Sequence, residues 1–150
     1  MYKRLFIPGP VDVKPEVLAK MAGPMIGHRT KDASALQKSI SDKLRQLMYT
    51  ENEILLSTSS GSGLMEGAVR SCTAKRAAIF SIGAFGDRWF RMAESNGVPA
   101  DKFSFELGSC PGAEDVEKVL ATGKYDLITI THNETATGVA TPLEPIAEVL

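Results

Sequence analysis

Small and hydroxyl-bearing residues near the middle of the chain form a pattern that suits an anion. Residues 59–63 read Ser-Ser-Gly-Ser-Gly, after the apolar run at residues 54–56 and before the apolar-rich residues 64–69. This order predicts a buried strand that turns directly into a helix. Glycine lets the backbone approach a ligand, and the first amides of a helix have no internal acceptors. A phosphate would fit there without a lysine, although the same residues also suit an ordinary loop with a serine cap.

A second loop, residues 83–86, places an aromatic side chain between two glycines. Phe85 would lie at the carboxyl end of a strand, where an aromatic ring can stack on a planar ligand. The helical spacing of Phe85, Trp89 and Met92 is equally typical of a core-facing side. Both interpretations stand at this point.

A third loop, residues 132–138, is a dense run of hydrogen-bonding side chains directly after an apolar strand. Such side chains could orient the polar substituents of a ring. His132 is either a base or a structural histidine, and Glu134 is either an acid or a capping group. The presence of two other candidate loops favours a binding site.

The elements that must position these loops alternate along the chain. Apolar spacing, caps and stop signals predict helices over residues 15–21, 32–48, 62–73, 85–96 and 114–121, with another near Leu143. Asp12 is the predicted opening residue of the first helix. Short apolar runs predict strands over residues 53–57, 77–82, 102–107 and 125–131. The predicted fold is therefore α/β, with a mostly parallel sheet covered by helices and ligands bound beyond the carboxyl ends of its strands.

Composition limits the classes of function. The 150 residues are 43% hydrophobic and 23% charged, with a net charge of −1, which is typical of one soluble globular unit. The scattered basic residues form no track for nucleic acid. Only two cysteines occur, and the apolar stretch that ends at Pro8 is too short for a leader or a membrane span. We expect a cytoplasmic protein without disulfides or a metal site, and a small ligand.

Leu150 comes early in the last predicted helix, before any C-cap signal or following strand. A parallel sheet that stops in mid-crossover would leave a strand edge and a helix face unmatched. We therefore expect residues 1–150 to be the front part of a longer protein.

Five segments in order form a pattern that spans the whole chain. They are residues 6–11 (Phe-Ile-Pro-Gly-Pro-Val), 27–29 (Gly-His-Arg), 60–63 (Ser-Gly-Ser-Gly), 83–89 (Gly-Ala-Phe-Gly-Asp-Arg-Trp) and 132–139 (His-Asn-Glu-Thr-Ala-Thr-Gly-Val). Together they resemble the class V aminotransferases, and the similarity is greatest to the branch with alanine-glyoxylate and serine-pyruvate aminotransferases.

This resemblance implies the type I fold of pyridoxal-phosphate enzymes. Residues 1–150 would be the N-terminal segment and the first part of the large cofactor-binding domain. The remainder of that domain and a C-terminal small domain would lie outside this chain. The cofactor would be pyridoxal 5′-phosphate, and the active site would be completed in a homodimer.

The resemblance also assigns roles to single residues. The amides of Ser62, Gly63 and Leu64, with the Ser62 hydroxyl, would hold the cofactor phosphate. Phe85 would stack on the pyridine ring, where many relatives carry tryptophan. Thr135 would lie beside the phenolic oxygen of the ring, where many relatives carry serine. Both replacements preserve the physical role.

Three further residues match the substrate side of the family. Gly9 would line the substrate side of the active site. His28 and Arg29 would lie near its mouth, in roles that the sequence leaves open.

The Schiff-base lysine and the acid that pairs with the pyridine nitrogen are both expected beyond Leu150. Lys75, Lys102, Lys118 and Lys124 lie in polar surroundings near element ends, which predicts surface roles. No catalytic residue is therefore assigned, and the 150-residue chain alone is expected to be inactive.

The resemblance implies that the intact protein transaminates between alanine or serine and glyoxylate or pyruvate. Alternatives in the same fold are a cysteine desulfurase, a 2-aminoethylphosphonate transaminase and a lyase. A desulfurase needs a mobile nucleophilic cysteine, for which Cys72 in a predicted helix is no candidate. A noncatalytic phosphate-binding module is the alternative from another class, although the lysine-bearing phosphate loop is missing.

Overall fold

Three parallel strands form the centre of residues 58–150 in the computed structural model, which describes residues 3–150. They are β1 (Ala77–Ser81), β2 (Ala100–Ser104) and β3 (Leu127–Ile130), in the order β2-β1-β3. Ile79 of the central strand lies opposite Lys102 on one side and Thr129 on the other. All five residues of β1 are buried because both of its edges are paired and both of its faces are covered. The predicted parallel sheet is confirmed.

Helices connect the strands and cover the sheet. Those in residues 58–150 are α3 (Gly61–Cys72), α4 (Ala84–Ser95), α5 (Ala113–Leu120) and α6 (Leu143–Ala147). A short hairpin, β4 (Asn133–Glu134) with β5 (Val139–Ala140), follows β3. The sequence did not predict this hairpin, because strands of two residues have no periodicity to detect.

One face of the sheet is built from aromatic rings. The stacked rings of Phe80 and Phe103 have centroids 5.3 Å apart, and the rings of Phe103 and Tyr125 are nearly perpendicular with centroids 5.9 Å apart. Val116 of α5 and Ile146 of α6 are buried against this cluster. Burial of these side chains holds the two helices on the sheet.

The first turn of α4 lies directly on the end of β1. A side-chain carbon at Gly86 would stand 2.5 Å from the Cα atom of Ser81, which is closer than any real contact. The Ser81 hydroxyl also donates a hydrogen bond of 2.9 Å to the carboxylate of Asp87. Only glycine at position 86 therefore allows α4 to begin where it does.

One carboxylate ties the amino ends of two strands together. Asp126 accepts hydrogen bonds from the amides of Ala74, Lys75 and Arg76 at 2.8, 2.7 and 3.1 Å. Burial raises the pKa of the Asp126 carboxyl, but the three amides lower it by more, so its pKa lies below the usual value. The turn before β1 is thus held in place by the residue before β3.

Residues 3–57 form a separate unit with α1 (Pro15–Met21) and α2 (Lys31–Leu47). No residue between 3 and 57 is buried. Phe6, Met25 and Tyr49 are more than nine-tenths exposed, at 91%, 98% and 97%. Thr30 caps α2 by accepting a hydrogen bond from the Ala33 amide.

Three details of the predicted elements are wrong. Residues 53–57 form no strand, since no strand among residues 3–150 pairs with them, and Leu55 is 90% exposed rather than buried. Lys14 and not Asp12 precedes α1; the Asp12 carboxylate accepts instead from the amide of Leu5. The second strand of the sheet covers residues 100–104 rather than 102–107. The other predicted helices and strands are found, with ends shifted by two residues at most.

Among residues 3–150, no helix is long and apolar enough to cross a membrane. Cys72, the last residue of α3, and Cys110 both carry free thiols.

Replacing Gly86 by alanine should destabilise the protein by about 1 to 3 kcal/mol, because the added methyl group collides with the backbone of β1. The matched control is Gly67→Ala in α3, where nothing lies within 4 Å. That change should stabilise by about 0.5 to 1 kcal/mol through helix propensity. Urea denaturation measures both, and equal effects of the two substitutions would contradict the close contact.

Asp126→Asn should lower stability near neutral pH. Because the folded pKa of Asp126 is lowered, its contribution is present above the unfolded value of about 3.9 and is lost as pH falls through the folded pKa. The difference between wild type and variant in urea denaturation should therefore shrink on acidification. A difference that stays constant from neutral to acid pH would show that the charge is not involved.

Candidate functional site

The three loops singled out in the sequence line one cleft of about 580 Å³ in residues 58–150. Its walls come from the start of α3, the start of α4 and the segment after β3. The lining residues are Ser60, Gly61, Ser62, Met65, Phe85, Arg88, Trp89, Thr131, His132, Asn133 and Thr135. The three loops lie together as predicted, although the first of them does not follow a strand. The cleft is the size of a small-molecule site.

The amino end of α3 offers backbone donors to the cleft. Ser60 caps the helix: its hydroxyl accepts from the Gly63 amide at 3.2 Å and its carbonyl from the Leu64 amide at 3.3 Å. The amides of Gly61 and Ser62 donate to no atom among the described residues. Of the three predicted phosphate amides, only that of Ser62 is thus without an internal acceptor. The Gly63 amide would exchange the Ser60 hydroxyl for a ligand oxygen.

A positive charge lies beside these amides. Nη1 of Arg88 donates a hydrogen bond of 3.2 Å to the Ser62 hydroxyl. The same guanidinium lies 5.1 Å from the centroid of the Phe85 ring, within cation–π range. Arg88 is a residue of the site that was not predicted from the sequence. The available signal was its position three residues after Phe85, which puts both on one helix face.

Phe85 lies in the first turn of α4 and is half-buried. Its ring lines the cleft, as does that of Trp89 one turn later. This helix face is therefore part of the cleft wall and not only of the core.

Glu134 lies behind the cleft wall. Its side chain is 1% exposed and accepts hydrogen bonds from the amides of Phe85 at 3.1 Å and Ala136 at 3.0 Å. It is not among the residues that line the cleft. The sequence left open whether Glu134 is an acid or a capping group, and in the structure it is a capping group.

The remaining polar side chains come from the segment after β3. His132 and Thr135 are exposed and line the cleft. The carbonyl of His132 accepts from the Thr141 amide at 2.7 Å, which anchors the segment. Oγ1 of Thr131, another lining residue, is buried and has no partner in the described part of the chain. A buried hydroxyl without a partner in a cleft wall is a place for a polar ligand atom.

Two predicted phosphate residues, Gly63 and Leu64, are not among those that line the cleft, and three further predicted residues belong to the other unit. Gly9, His28 and Arg29 are exposed residues of the separate unit 3–57, and their roles stay predictions. No lysine of residues 3–150 lines the cleft. Lys102 instead pairs with Asp87 at 3.1 Å, and this ion pair together with the Ser81 hydroxyl keeps the pKa of Asp87 below its usual value.

Comparison with known proteins shows what the chain is similar to. No protein-family model matches the chain. An uncharacterised aminotransferase of Methanocaldococcus jannaschii is 39% identical over 99% of the chain. Alanine–glyoxylate aminotransferase of Rattus norvegicus is 31% identical over 98% of it. The crystal structure of alanine–glyoxylate aminotransferase from Nostoc sp. superposes with a TM-score of 0.88 and 29% identity over 95% of the chain.

The chain belongs to the class V aminotransferase family. It has the type I fold of pyridoxal-phosphate enzymes, so the family and fold that the sequence predicted are confirmed. The chain spans only about two fifths of its relatives, at 39%, 36% and 39% of the three proteins above, and corresponds to their N-terminal part.

The cleft residues fit the cofactor that class V aminotransferases use. Two free amides, a hydroxyl and a guanidinium at one end suit a phosphate. An aromatic face and the unpartnered Thr131 hydroxyl suit a polar planar ring. Among residues 3–150, no carboxylate lines the cleft, so its walls carry no negative side chain that would repel a phosphate.

Ser60→Ala should cost about 1 kcal/mol of stability, because Gly63 loses its capping acceptor. The neighbouring Ser62→Ala removes only an exposed contact with Arg88 and should change stability by less than about 0.5 kcal/mol. Thermal denaturation of the two variants checks the difference. Equal losses would mean that Ser60 does not cap α3.

Proposed function

We propose that the protein containing these residues is a pyridoxal-phosphate-dependent aminotransferase. It moves an amino group between a small amino acid, alanine or serine, and a 2-oxo acid, glyoxylate or pyruvate. The observation that carries the proposal is the single cleft in which free helix amides, Arg88 and an aromatic face lie together. The family membership supports the reaction type, and the glyoxylate aminotransferases among the relatives support the substrates.

The phosphate end of the cofactor is assigned to α3. The amides of Ser62 and Gly63 and the Ser62 hydroxyl surround it in this proposal, with the free amide of Gly61 as a further donor. The Leu64 amide, which the sequence also assigned to the phosphate, donates to the Ser60 carbonyl instead. Arg88 already touches the Ser62 hydroxyl and adds a full positive charge to the helix dipole. Because Gly61 has open space around its Cα atom, a phosphate oxygen can approach its backbone.

The ring end is assigned to α4 and the segment after β3. Phe85 supports one face of the ring, and Thr135 donates toward its phenolic oxygen. When bound, the cofactor supplies the electron sink for breaking bonds at the amino acid Cα atom. The residues of this chain hold the ring in position and restrict its rotation. The Schiff-base lysine and the acid for the ring nitrogen are assigned to sequence beyond Leu150, so residues 1–150 alone should be inactive.

Residues 1–150 are proposed to be the N-terminal segment and the first part of the large cofactor domain. Gly9 of that segment is assigned to the substrate side. A homodimer is also proposed. Large apolar side chains of residues 3–57, among them Phe6, Met25 and Tyr49, are exposed, and a second subunit or the sequence beyond Leu150 would cover them.

Ser62→Ala should weaken binding of pyridoxal phosphate about ten- to a hundredfold, the range expected for one lost hydrogen bond to a charged group. The matched control is Ser71→Ala, an exposed serine near the other end of the same helix. It should bind as the wild type does. Titration followed by the visible absorbance of the cofactor gives the dissociation constants, and equal affinity of both variants would contradict the phosphate site.

The reaction itself is tested with the protein as its host produces it. Alanine or serine with glyoxylate should give pyruvate or hydroxypyruvate and glycine. Release of sulfide from cysteine, without transamination, would instead identify a desulfurase. A protein that binds pyridoxal phosphate and transforms none of these amino acids would contradict the proposed substrates.

A further inference from the structure

A buried carboxylate connects two walls of the cleft. Glu134 lies in β4, is 1% exposed, and accepts from the Phe85 amide in α4 and from the Ala136 amide in its own turn. The two loops that it joins are 49 residues apart in the sequence. One side chain therefore sets the distance between the backbone at Phe85 and the segment that carries Thr135.

The start of α4 is built around this carboxylate. Gly83, which precedes the helix, has φ of +155° and provides no side-chain cap. A side-chain carbon at position 83 would lie 2.8 Å from Cδ and Oε2 of Glu134. The cap that a neighbouring serine or aspartate usually supplies thus comes from another loop.

Burial of a carboxylate costs free energy unless donors compensate for it. Two amides and the positive end of the α4 dipole do so here. A cap that served α4 alone would not need a carboxylate from the hairpin. Because Glu134 belongs to the β4–β5 hairpin, its carboxylate also joins this hairpin to α4.

We propose that Glu134 is a positioning residue for the cofactor ring. It fixes the Phe85 face relative to Thr135, so that stacking and the contact with the phenolic oxygen are set together. This inference rests on the proposed function, because both contacts belong to the assigned ring site. Glu134 acts through Phe85 and Thr135, since it does not line the cleft itself.

The test is Glu134→Gln in the protein as its host produces it, titrated with pyridoxal phosphate. The amide keeps the shape of the side chain but has one acceptor oxygen, so it can accept from only one of the two amides well. Affinity should fall about tenfold, and the induced circular dichroism of the bound cofactor should shrink because the ring is held less firmly. Glu134→Asp keeps the charge and shortens the reach, and should show the same change in the dichroism.

The control is Asp126→Asn, another carboxylate that accepts backbone amides, at the opposite end of the sheet. It should reduce stability and leave cofactor affinity and dichroism unchanged. If Glu134→Gln behaves like Asp126→Asn, Glu134 is only structural and the proposal is overturned.

A double-mutant cycle separates positioning from a general loss of stability. In a Phe85→Leu background, Glu134→Gln should cause a smaller further loss of affinity than in the wild type, because one of the two side chains that it positions is already gone. Fully additive losses would overturn the proposal. If the wild-type protein itself binds no pyridoxal phosphate, the proposed function fails, and this inference with it; the inference alone fails if the wild type binds and the Glu134 variants bind equally well.

Discussion

The close contact between α4 and the end of β1 is the constraint on which the site depends. Gly86 lies so near Ser81 that no side chain fits between them, and Gly83 turns the backbone with a conformation that favours glycine. Because the helix begins at that point, Phe85 and Arg88 extend toward the start of α3. Parallel strands bring the segment after β3 to the same edge. The cleft is the meeting place of these three segments.

The electrostatics of the cleft come from a few well-placed groups. Free amides at the start of α3 and the Arg88 guanidinium give one end a positive potential without any lysine. The carboxylates nearby are already committed elsewhere: Glu134 to two amides behind the wall, and Asp87 to Lys102 and Ser81. An anionic group can therefore enter the cleft without being repelled by a negative charge on its walls.

Much of this could be predicted from the sequence, because strand and helix periodicity fixes a parallel sheet, and a parallel sheet fixes where its loops meet. What could not be predicted depends on contacts between distant residues. Arg88 meets Ser62 across 26 residues and Glu134 meets Phe85 across 49, and neither pair has a local signature. The strand expected at residues 53–57 failed for a related reason: apolar residues favour a strand, but only a paired neighbour makes one.

The most direct test of the central claim is a crystal structure of the protein grown with pyridoxal phosphate. Our account predicts the phosphate at the amino end of α3, against the amides and hydroxyl of Ser62, with the ring on the face of Phe85. A phosphate bound away from α3, or a ring that does not touch Phe85, would contradict it.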